Sequence, residues 1–139
     1  MPDGSALFDQ RIINNIGLTD DKLKRMIGQG YDEIVRRQLH YTGSTAIPDM
    51  RGKEALLVDD GIATGYTIRA AIQWIKTLNP SKIIVAVPIA APDVVADLSP
   101  KVDMFICPIQ PDPFSAVGAY YKDFSETKDQ EVVQILSMM

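Results

Sequence analysis

The sequence is poor in the residues that build disulfides and protein metal centres. Its 139 residues include one cysteine, Cys107, and one histidine, His40. A single cysteine cannot form an internal disulfide, and its apolar neighbours predict a small buried side chain in a reducing compartment. A lone histidine with no identifiable orienting partner favours an incidental role over that of a proton carrier. We therefore expect a cytoplasmic protein without a metal site of its own.

Long apolar runs and clusters of basic residues are also missing. The longest nearly unbroken apolar run, residues 83–92, is about half the length of a membrane-spanning helix. The 14 Lys and Arg residues are scattered and are outnumbered by 18 Asp and Glu, for a net charge of -4. Because nucleic acids and anionic membranes are bound largely through neutralisation of phosphates, we expect neither as a partner. The 46% apolar content predicts a globular protein with one core.

Three short apolar runs, each bounded by Pro, Asp or Gly, predict β-strands. They are Ala55–Val58, Lys82–Val87 and Met104–Ile109. Continuous apolar runs are typical of strands covered on both faces, as in a parallel sheet. The segments between them, Tyr66–Leu78 and Pro92–Leu98, predict crossover helices. The order β-α-β-α-β predicts an α/β fold, with a mainly parallel sheet and flanking helices.

The two ends of the chain have different patterns. Near the start, Ala6–Asn15 favours a short strand, and Thr19–Leu39 has apolar residues at helical spacing, with Thr19 as the N-cap. Near the end, an aromatic flap precedes a helix for which Thr127 and Gln130 predict a capping box. The expected organisation is one domain, 1–139, with an N-terminal strand and helix region (1–50), a nucleotide-binding α/β core (51–109) and a C-terminal flap and helix (110–139).

The most informative segment is Ala55–Thr67, which reads A-L-L-V-D-D-G-I-A-T-G-Y-T. Ligands of open α/β sheets bind at the carboxyl ends of strands, where Asp59 and Asp60 lie. Adjacent carboxylates can accept hydrogen bonds from the vicinal hydroxyls of a ribose. Gly61 and Gly65 let backbone N–H groups approach an anion, and the following helix presents its positive end to the same point. The segment therefore predicts a site for a phosphorylated ribose.

Three other interpretations of this segment compete with the binding loop. Two acids and a glycine turn can simply end a strand and cap a helix, but the match of 13 residues in order favours a binding function. A P-loop requires a Gly-Lys-Ser/Thr ending, which is missing. A phosphorelay receiver domain requires a further lone Asp after another strand and a late Lys, and neither has a convincing place in this sequence.

The segment resembles the signature of type I phosphoribosyltransferases, which use phosphoribosyl pyrophosphate and Mg²⁺. The resemblance covers most of the chain and is closest to a poorly characterised subgroup that is only phosphoribosyltransferase-like. It includes Asp49, Met50, Arg51, Gly52 and Lys53 before the strand, and Pro113, Phe114, Ala116, Val117, Gly118, Tyr121, Asp123, Phe124, Ser125, Thr127 and Asp129 after it.

The resemblance implies a role for each residue of the loop, although it assigns no catalytic residue. Asp59 and Asp60 would hold the ribose hydroxyls. The 5′-phosphate would be bound by Gly61, Ile62, Ala63, Thr64, Gly65, Tyr66 and Thr67. The implied partner is a small-molecule phosphoribosyl substrate, which brings Mg²⁺ with its phosphates.

Two features depart from the family pattern. Purine-salvage members have an Asp just before the Thr-Gly pair, where this chain has Ala63, so the acceptor base stays open. The family also has an earlier pyrophosphate-binding loop, for which this chain begins too late. Arg51, Lys53 or Arg69 could replace its charge, but surface positions are the usual fate of such residues. We expect either the C-terminal portion of a longer protein, or an open sheet edge covered by another chain in a homodimer or other homo-oligomer.

Two functions are compatible with this pattern. One is a pentosyltransferase that moves phosphoribose from phosphoribosyl pyrophosphate to a nitrogenous acceptor. The alternative is a regulatory module that binds phosphoribosyl compounds or nucleotides without turnover, or a fragment of a larger enzyme. Phe114, Tyr120 and Tyr121 could stack on an acceptor base, although aromatic residues in a flap are more often packed into the core.

Overall fold

The computed structural model describes residues 1–4, 6, 7, 13 and 17–138. The chain divides into two compact units, Met1–Ile47 with Glu126–Met139, and Pro48–Ser125. The expected strand at Ala6–Asn15 falls largely outside the described residues. Among those that are described, the α-helices are α1 (Asp20–Thr42), α2 (Tyr66–Thr77), α3 (Pro92–Leu98) and α4 (Asp129–Leu136). None of these helices combines the length and the apolar character needed to cross a bilayer.

Helix α1 has clear signals at both ends. The Thr19 hydroxyl accepts a hydrogen bond from the backbone N–H of Lys22 at 3.4 Å. At the other end Gly43 adopts φ 69° and donates its N–H to the Leu39 carbonyl, which is the left-handed cap that glycine favours. The helix is longer than the predicted Thr19–Leu39 because this glycine comes four residues later. His40, which follows the predicted end of the helix at Leu39, lies in the last turn of α1.

Helix α4 is tied to α1 within the same unit. The Asp129 carboxylate accepts hydrogen bonds from the Tyr41 hydroxyl at 2.5 Å and from Arg36 Nη1 at 2.8 Å. These two bonds, that of Tyr41 first, lower the pKa of Asp129. The first residue of α4 is therefore held against α1 by two side-chain hydrogen bonds.

The predicted capping box of α4 was wrong by one residue. The helix begins at Asp129, and its N-cap position is Lys128 rather than Thr127. The Lys128 backbone N–H donates to Glu131 Oε2 at 2.7 Å. A carboxylate is a stronger hydrogen-bond acceptor than the neutral Gln130 side chain, which is a physical reason for the shift.

The unit Pro48–Ser125 is built on a parallel sheet, which confirms the predicted α/β fold. Its strands are β1 (Glu54–Val58), β2 (Lys82–Ala86) and β3 (Met104–Ile106), in the spatial order β1-β2-β3. The register pairs Leu57 with Val85, and Val85 with Phe105. β2 and β3 lie within predicted apolar runs, β1 begins one residue before its predicted run, and α2 and α3 are the predicted crossover helices.

The core of this unit lies between one face of the sheet and the two crossover helices. Its main cluster combines Ile68 and Ile72 of α2 with Val94 and Leu98 of α3, packed on Val85 of β2. On the opposite face the side chains of Leu56, Val58, Met104 and Ile106 are exposed. The strands were expected to be covered on both faces, but β1 instead alternates between buried and exposed positions.

Candidate functional site

The predicted loop lies at the carboxyl edge of the sheet and lines one cavity. The acids follow the end of β1, and the loop leads directly into α2. The cavity has a volume of about 380 Å³ and is lined by all residues of the predicted site, Asp59, Asp60, Gly61, Ile62, Ala63, Thr64, Gly65, Tyr66 and Thr67, together with Ile68. The structure therefore brings the whole predicted set together.

The middle of the loop is bonded to the neighbouring strand connection. The Ile62 N–H donates to the Ile89 carbonyl at 2.9 Å, and the Ile62 carbonyl accepts from the Ala91 N–H at 3.1 Å. A second bridge, between Ile89 and Ile109, continues the parallel pairing across the sheet. Because Ile62 is also buried, the loop acts as an extension of the sheet at this point.

The two adjacent acids have different environments. Asp59 is partly buried, and its Oδ1 accepts a hydrogen bond from the backbone N–H of Asp60 at 3.0 Å. Burial raises the pKa of Asp59, and the nearby charge of Asp60 raises it further, against the opposing effect of that hydrogen bond. The Asp60 side chain is exposed. One carboxylate is thus held by the backbone while its neighbour faces solvent.

The start of α2 lines the cavity and has no side-chain cap. Gly65 occupies the N-cap position with φ 77°, and a Cβ on it would lie 2.7 Å from Val94 Cγ1. Since glycine has no side chain with which to cap the helix, the first-turn amides of Thr67 and Ile68 can meet a ligand in the cavity. The hydroxyls of Thr64 and Thr67 are exposed beside them.

The far wall of the cavity comes from the flap, which the sequence did not assign to the site. This wall consists of Ala116, Val117, Gly118 and Phe124. A Cβ on Gly118 would lie 2.7 Å from Phe124 Cδ1, so the ring sits directly on the glycine. A lone glycine among apolar flap residues was the only sequence signal for such a close approach.

The other flap aromatics are used for packing and for one hydrogen bond. Phe114 packs against the main core cluster and stacks on Tyr120, with ring centroids 6.1 Å apart. The Tyr121 hydroxyl donates to the backbone carbonyl of Asp60 at 2.6 Å. Phe114 thus confirms the predicted core role, whereas Tyr120 is 43% exposed beside it. Tyr121 reaches the acid pair instead.

The basic residues considered as substitutes for a pyrophosphate loop lie elsewhere. Arg69 Nη2 pairs with Asp97 at 2.9 Å, and Arg51 Nη2 pairs with Asp49 at 3.0 Å. Lys53 is exposed. Among the described residues that line the cavity there is no Lys or Arg. The expectation that these cations are surface charges is confirmed for Arg51, whose side chain is 78% exposed. Arg69 is instead half-buried, and its Nε is buried without a hydrogen-bond partner among the described residues.

Comparison with known proteins agrees with the fold and the motif. The family model described as "Phosphoribosyl transferase domain" matches residues 2–123. The chain therefore belongs to the phosphoribosyl transferase family.

Two proteins from two strains of Mycobacterium tuberculosis, named "Putative phosphoribosyl transferase MT0597" and "Putative phosphoribosyl transferase Rv0571c", are each 34% identical to it over 135 residues. That alignment covers 96% of this chain but 30% of either relative. The chain thus spans less than a third of the length of these curated relatives.

A solved structure shares the same architecture. It is the crystal structure of TT1426 from Thermus thermophilus, with a TM-score of 0.73 and 30% sequence identity. The superposition covers 97% of this chain and 64% of the other. The described fold is thus that of a phosphoribosyl transferase-like protein.

Proposed function

We propose that the cavity binds the ribose 5-phosphate part of a phosphoribosyl compound. The observation that carries this proposal is that an acid pair and the uncapped start of a helix line the same cavity of about 380 Å³. Asp59 and Asp60 would accept hydrogen bonds from the two ribose hydroxyls. The backbone from Gly61 to Thr67 would surround the phosphate, where N–H groups and the helix dipole favour negative charge.

Phosphoribosyl pyrophosphate would bring Mg²⁺ to the same place. Among the described residues, no group of three or more His, Cys, Asp or Glu is arranged to hold a metal ion. Two adjacent carboxylates nevertheless fit Mg²⁺, which commonly uses one or two protein carboxylates and takes its remaining ligands from phosphates and water. When bound, the ion would neutralise charge on the pyrophosphate. Asp59 and Asp60 are the residues that would hold it.

The enzymatic form of this proposal is transfer of phosphoribose to a nitrogenous acceptor. The bond between the ribose C1′ and the pyrophosphate oxygen would break, and a bond from C1′ to the acceptor nitrogen would form. The residues of this chain would fix the ribose at its hydroxyls and its 5′-phosphate, which leaves C1′ at a defined position. The flap wall formed by Val117, Gly118 and Phe124 would exclude water from one side.

A second candidate function is binding of phosphoribosyl compounds without turnover. It is favoured by the acidic lining of the cavity, which contains Asp59 and Asp60 but no Lys or Arg among the described residues. Departure of pyrophosphate develops negative charge that a catalyst must stabilise. A cavity of this composition suits the ribose and one phosphate better than it suits a pyrophosphate group.

The test is calorimetric titration of the chain with ribose 5-phosphate and with phosphoribosyl pyrophosphate plus Mg²⁺. We expect saturable binding of both, weakened about 10- to 100-fold in Asp59→Asn/Asp60→Asn. Each amide oxygen still accepts a hydrogen bond, so each substitution loses only the added strength of a charged acceptor, about 1 kcal/mol. The matched control is Asp20→Asn/Asp21→Asn, which removes the same two charges from the first turn of α1.

The outcomes separate the two candidates. Binding that the control retains and the double variant loses supports the site, and pyrophosphate release in the presence of nucleobases would then support the enzyme. Binding without any release supports the non-catalytic module. If folded wild-type protein binds neither ligand, the proposed function is wrong.

We also propose that the chain forms an oligomer and works in a reducing compartment. Within the described sheet, β1 and β3 each pair with β2 alone, and open parallel edges are normally covered. We infer a homodimer or other homo-oligomer, which light scattering after size-exclusion chromatography would reveal as a mass above 15.3 kDa. A cytoplasmic setting would keep the single thiol of Cys107 reduced.

A further inference from the structure

The flap is attached to the acid pair by a hydrogen bond between residues far apart in the chain. The Tyr121 hydroxyl donates to the Asp60 carbonyl oxygen at 2.6 Å. This distance lies within the usual range of about 2.5–3.0 Å for a hydroxyl donor. Asp60 and Tyr121 are 61 positions apart, so the bond joins the flap to the acid turn that lines the cavity.

With this bond, both backbone polar groups of Asp60 have a hydrogen-bond partner. The Asp60 N–H donates to Asp59 Oδ1 at 3.0 Å, and its carbonyl receives the Tyr121 hydroxyl. A residue whose backbone N–H and C=O are both engaged has little freedom to rotate. The direction in which the Asp60 side chain leaves the backbone is therefore set in part by Tyr121, although Tyr121 does not touch the carboxylate.

The surrounding contacts hold Tyr121 in place. Its ring lies against Phe124, with centroids 5.2 Å apart, and Phe124 packs on Gly118. The same stretch contributes Val117, whose methyl groups lie over Gly61. The flap thus contacts the acid turn at two successive residues, by packing at Gly61 and by a hydrogen bond at Asp60.

We propose that Tyr121 is a positioning residue that aims the Asp60 carboxylate at the ribose hydroxyls. The inference rests on the proposed function, since it assigns Asp60 to the ribose. It goes beyond that function by making the flap part of ribose recognition through a main-chain contact. Without the hydroxyl, the Asp60 peptide would exchange a fixed partner for water, and its carboxylate would sample several directions.

The experiment measures the affinity for ribose 5-phosphate by calorimetry in Tyr121→Phe. The variant keeps the ring and its contact with Phe124 and deletes only the hydroxyl. We expect binding to weaken about three- to tenfold, the effect of removing one neutral hydrogen bond. The matched control is Tyr120→Phe, a hydroxyl deletion in the neighbouring residue whose ring stacks on Phe114, and it should bind like the wild type.

A merely structural role is excluded by repeating the substitution in two backgrounds. If Tyr121 acts through Asp60, Tyr121→Phe should have no further effect in Asp60→Ala, which has no side-chain oxygen left to position. It should keep its effect in Asp59→Asn, where an amide oxygen still accepts from the Asp60 N–H. Both backgrounds retain the phosphate loop, so their residual affinity can be followed by displacement of a labelled ligand. Thermal unfolding of each variant confirms that it is folded.

Each outcome decides the question. Unchanged affinity in Tyr121→Phe, or an equal loss in both backgrounds, would overturn the positioning role while leaving the ribose site intact. A wild-type protein that does not bind ribose 5-phosphate would overturn the proposed function and this inference together. A loss confined to proteins that carry Asp60 would support both.

Discussion

Val117 lies directly over Gly61: a methyl group built on this glycine would be 2.6 Å from Val117 Cγ1 and 2.8 Å from Ile89 Cγ2. Real side-chain carbons do not approach so closely, so the flap and the strand connection together require a glycine at this position. The requirement is one of space rather than of backbone conformation, which distinguishes Gly61 from Gly65 with its positive φ.

The substitution Gly61→Ala should therefore destabilise the unit Pro48–Ser125. Overpacking of this kind costs about 1–3 kcal/mol. The measurement is urea denaturation followed by the fluorescence of Trp74, the only tryptophan, which packs in this unit beside the buried Ala55 and Ile83.

The matched control for Gly61→Ala is Gly28→Ala in α1. A Cβ on Gly28 would meet no atom of the described residues within 4 Å, so alanine fits there without overpacking. Alanine should stabilise the helix by about 1 kcal/mol, measured as a rise in the midpoint of the far-ultraviolet circular dichroism transition. A stabilising Gly61→Ala would contradict the described contact with Val117.

Leu98→Ala should be strongly destabilising. Leu98 is fully buried in the main core cluster, and truncation of a buried leucine to alanine costs about 2–5 kcal/mol, because a cavity is added to the lost transfer energy. The control is Leu39→Ala, at a position that is 51% exposed, which should change the free energy of unfolding by less than about 0.5 kcal/mol. Equal effects of the two changes would contradict the placement of the core.

Asp59→Asn should increase stability at neutral pH. Burial and the neighbouring Asp60 charge raise the pKa of Asp59 above its ordinary value of 3.8, so the native state binds the proton more tightly than the unfolded chain does. The cost of ionising this carboxyl in the native state is therefore fully present above its raised pKa and disappears below 3.8.

The prediction for Asp59 is checked by chemical denaturation of variant and wild type from pH 7 downwards. The stability gained by the variant should be largest at pH 7 and should shrink as the pH falls towards 3.8, the ordinary pKa of an Asp carboxyl. A variant that is less stable than the wild type at pH 7 would show that the hydrogen bond to Asp60 outweighs the burial.

Glu33 should contribute to stability with the opposite dependence on pH. Its hydrogen bonds with Arg36 and then Arg37 lower its pKa from 4.5 to about 2. This contribution to stability is fully present above pH 4.5 and is lost as the pH falls from 4.5 through the lowered pKa of about 2. The side chains are about half exposed, so the effect should be small and should weaken with added salt.

The measurement for Glu33 is thermal unfolding of Glu33→Gln by circular dichroism at low and high salt. We expect a lower midpoint than the wild type at pH 7 and a difference that vanishes near pH 2. A difference that persists at pH 2 would mean that the glutamate acts by packing rather than by charge.

The parts of the site that could be predicted are those that are contiguous in sequence. The strand, the acid pair, the glycines and the helix start follow one another within Ala55–Thr67. The strand, turn and helix propensities of these residues therefore all predicted the same loop. The crossover helix at Pro92–Leu98 had the predicted bounds, because proline marks its first turn.

The parts that could not be predicted depend on contacts between distant residues. The residues around Tyr121 in the sequence do not indicate that its hydroxyl reaches Asp60. The sequence around Val117 likewise does not indicate that its side chain packs on Gly61. The Asp129 contacts with Arg36 and Tyr41 join positions separated by 93 and 88 residues. Periodicity reports burial and propensity, whereas these contacts arise only when the fold has formed.

The two hydrogen bonds of Ile62 have a consequence for affinity. A flexible loop that becomes ordered around a ligand loses about 1–2 kcal/mol of backbone entropy for each residue it fixes. The loop after β1 is already fixed by the sheet, so that loss occurs during folding and not during binding. In the proposed function, a preorganised loop of this kind would allow even a small anion, which offers few contacts, to bind without reshaping the protein.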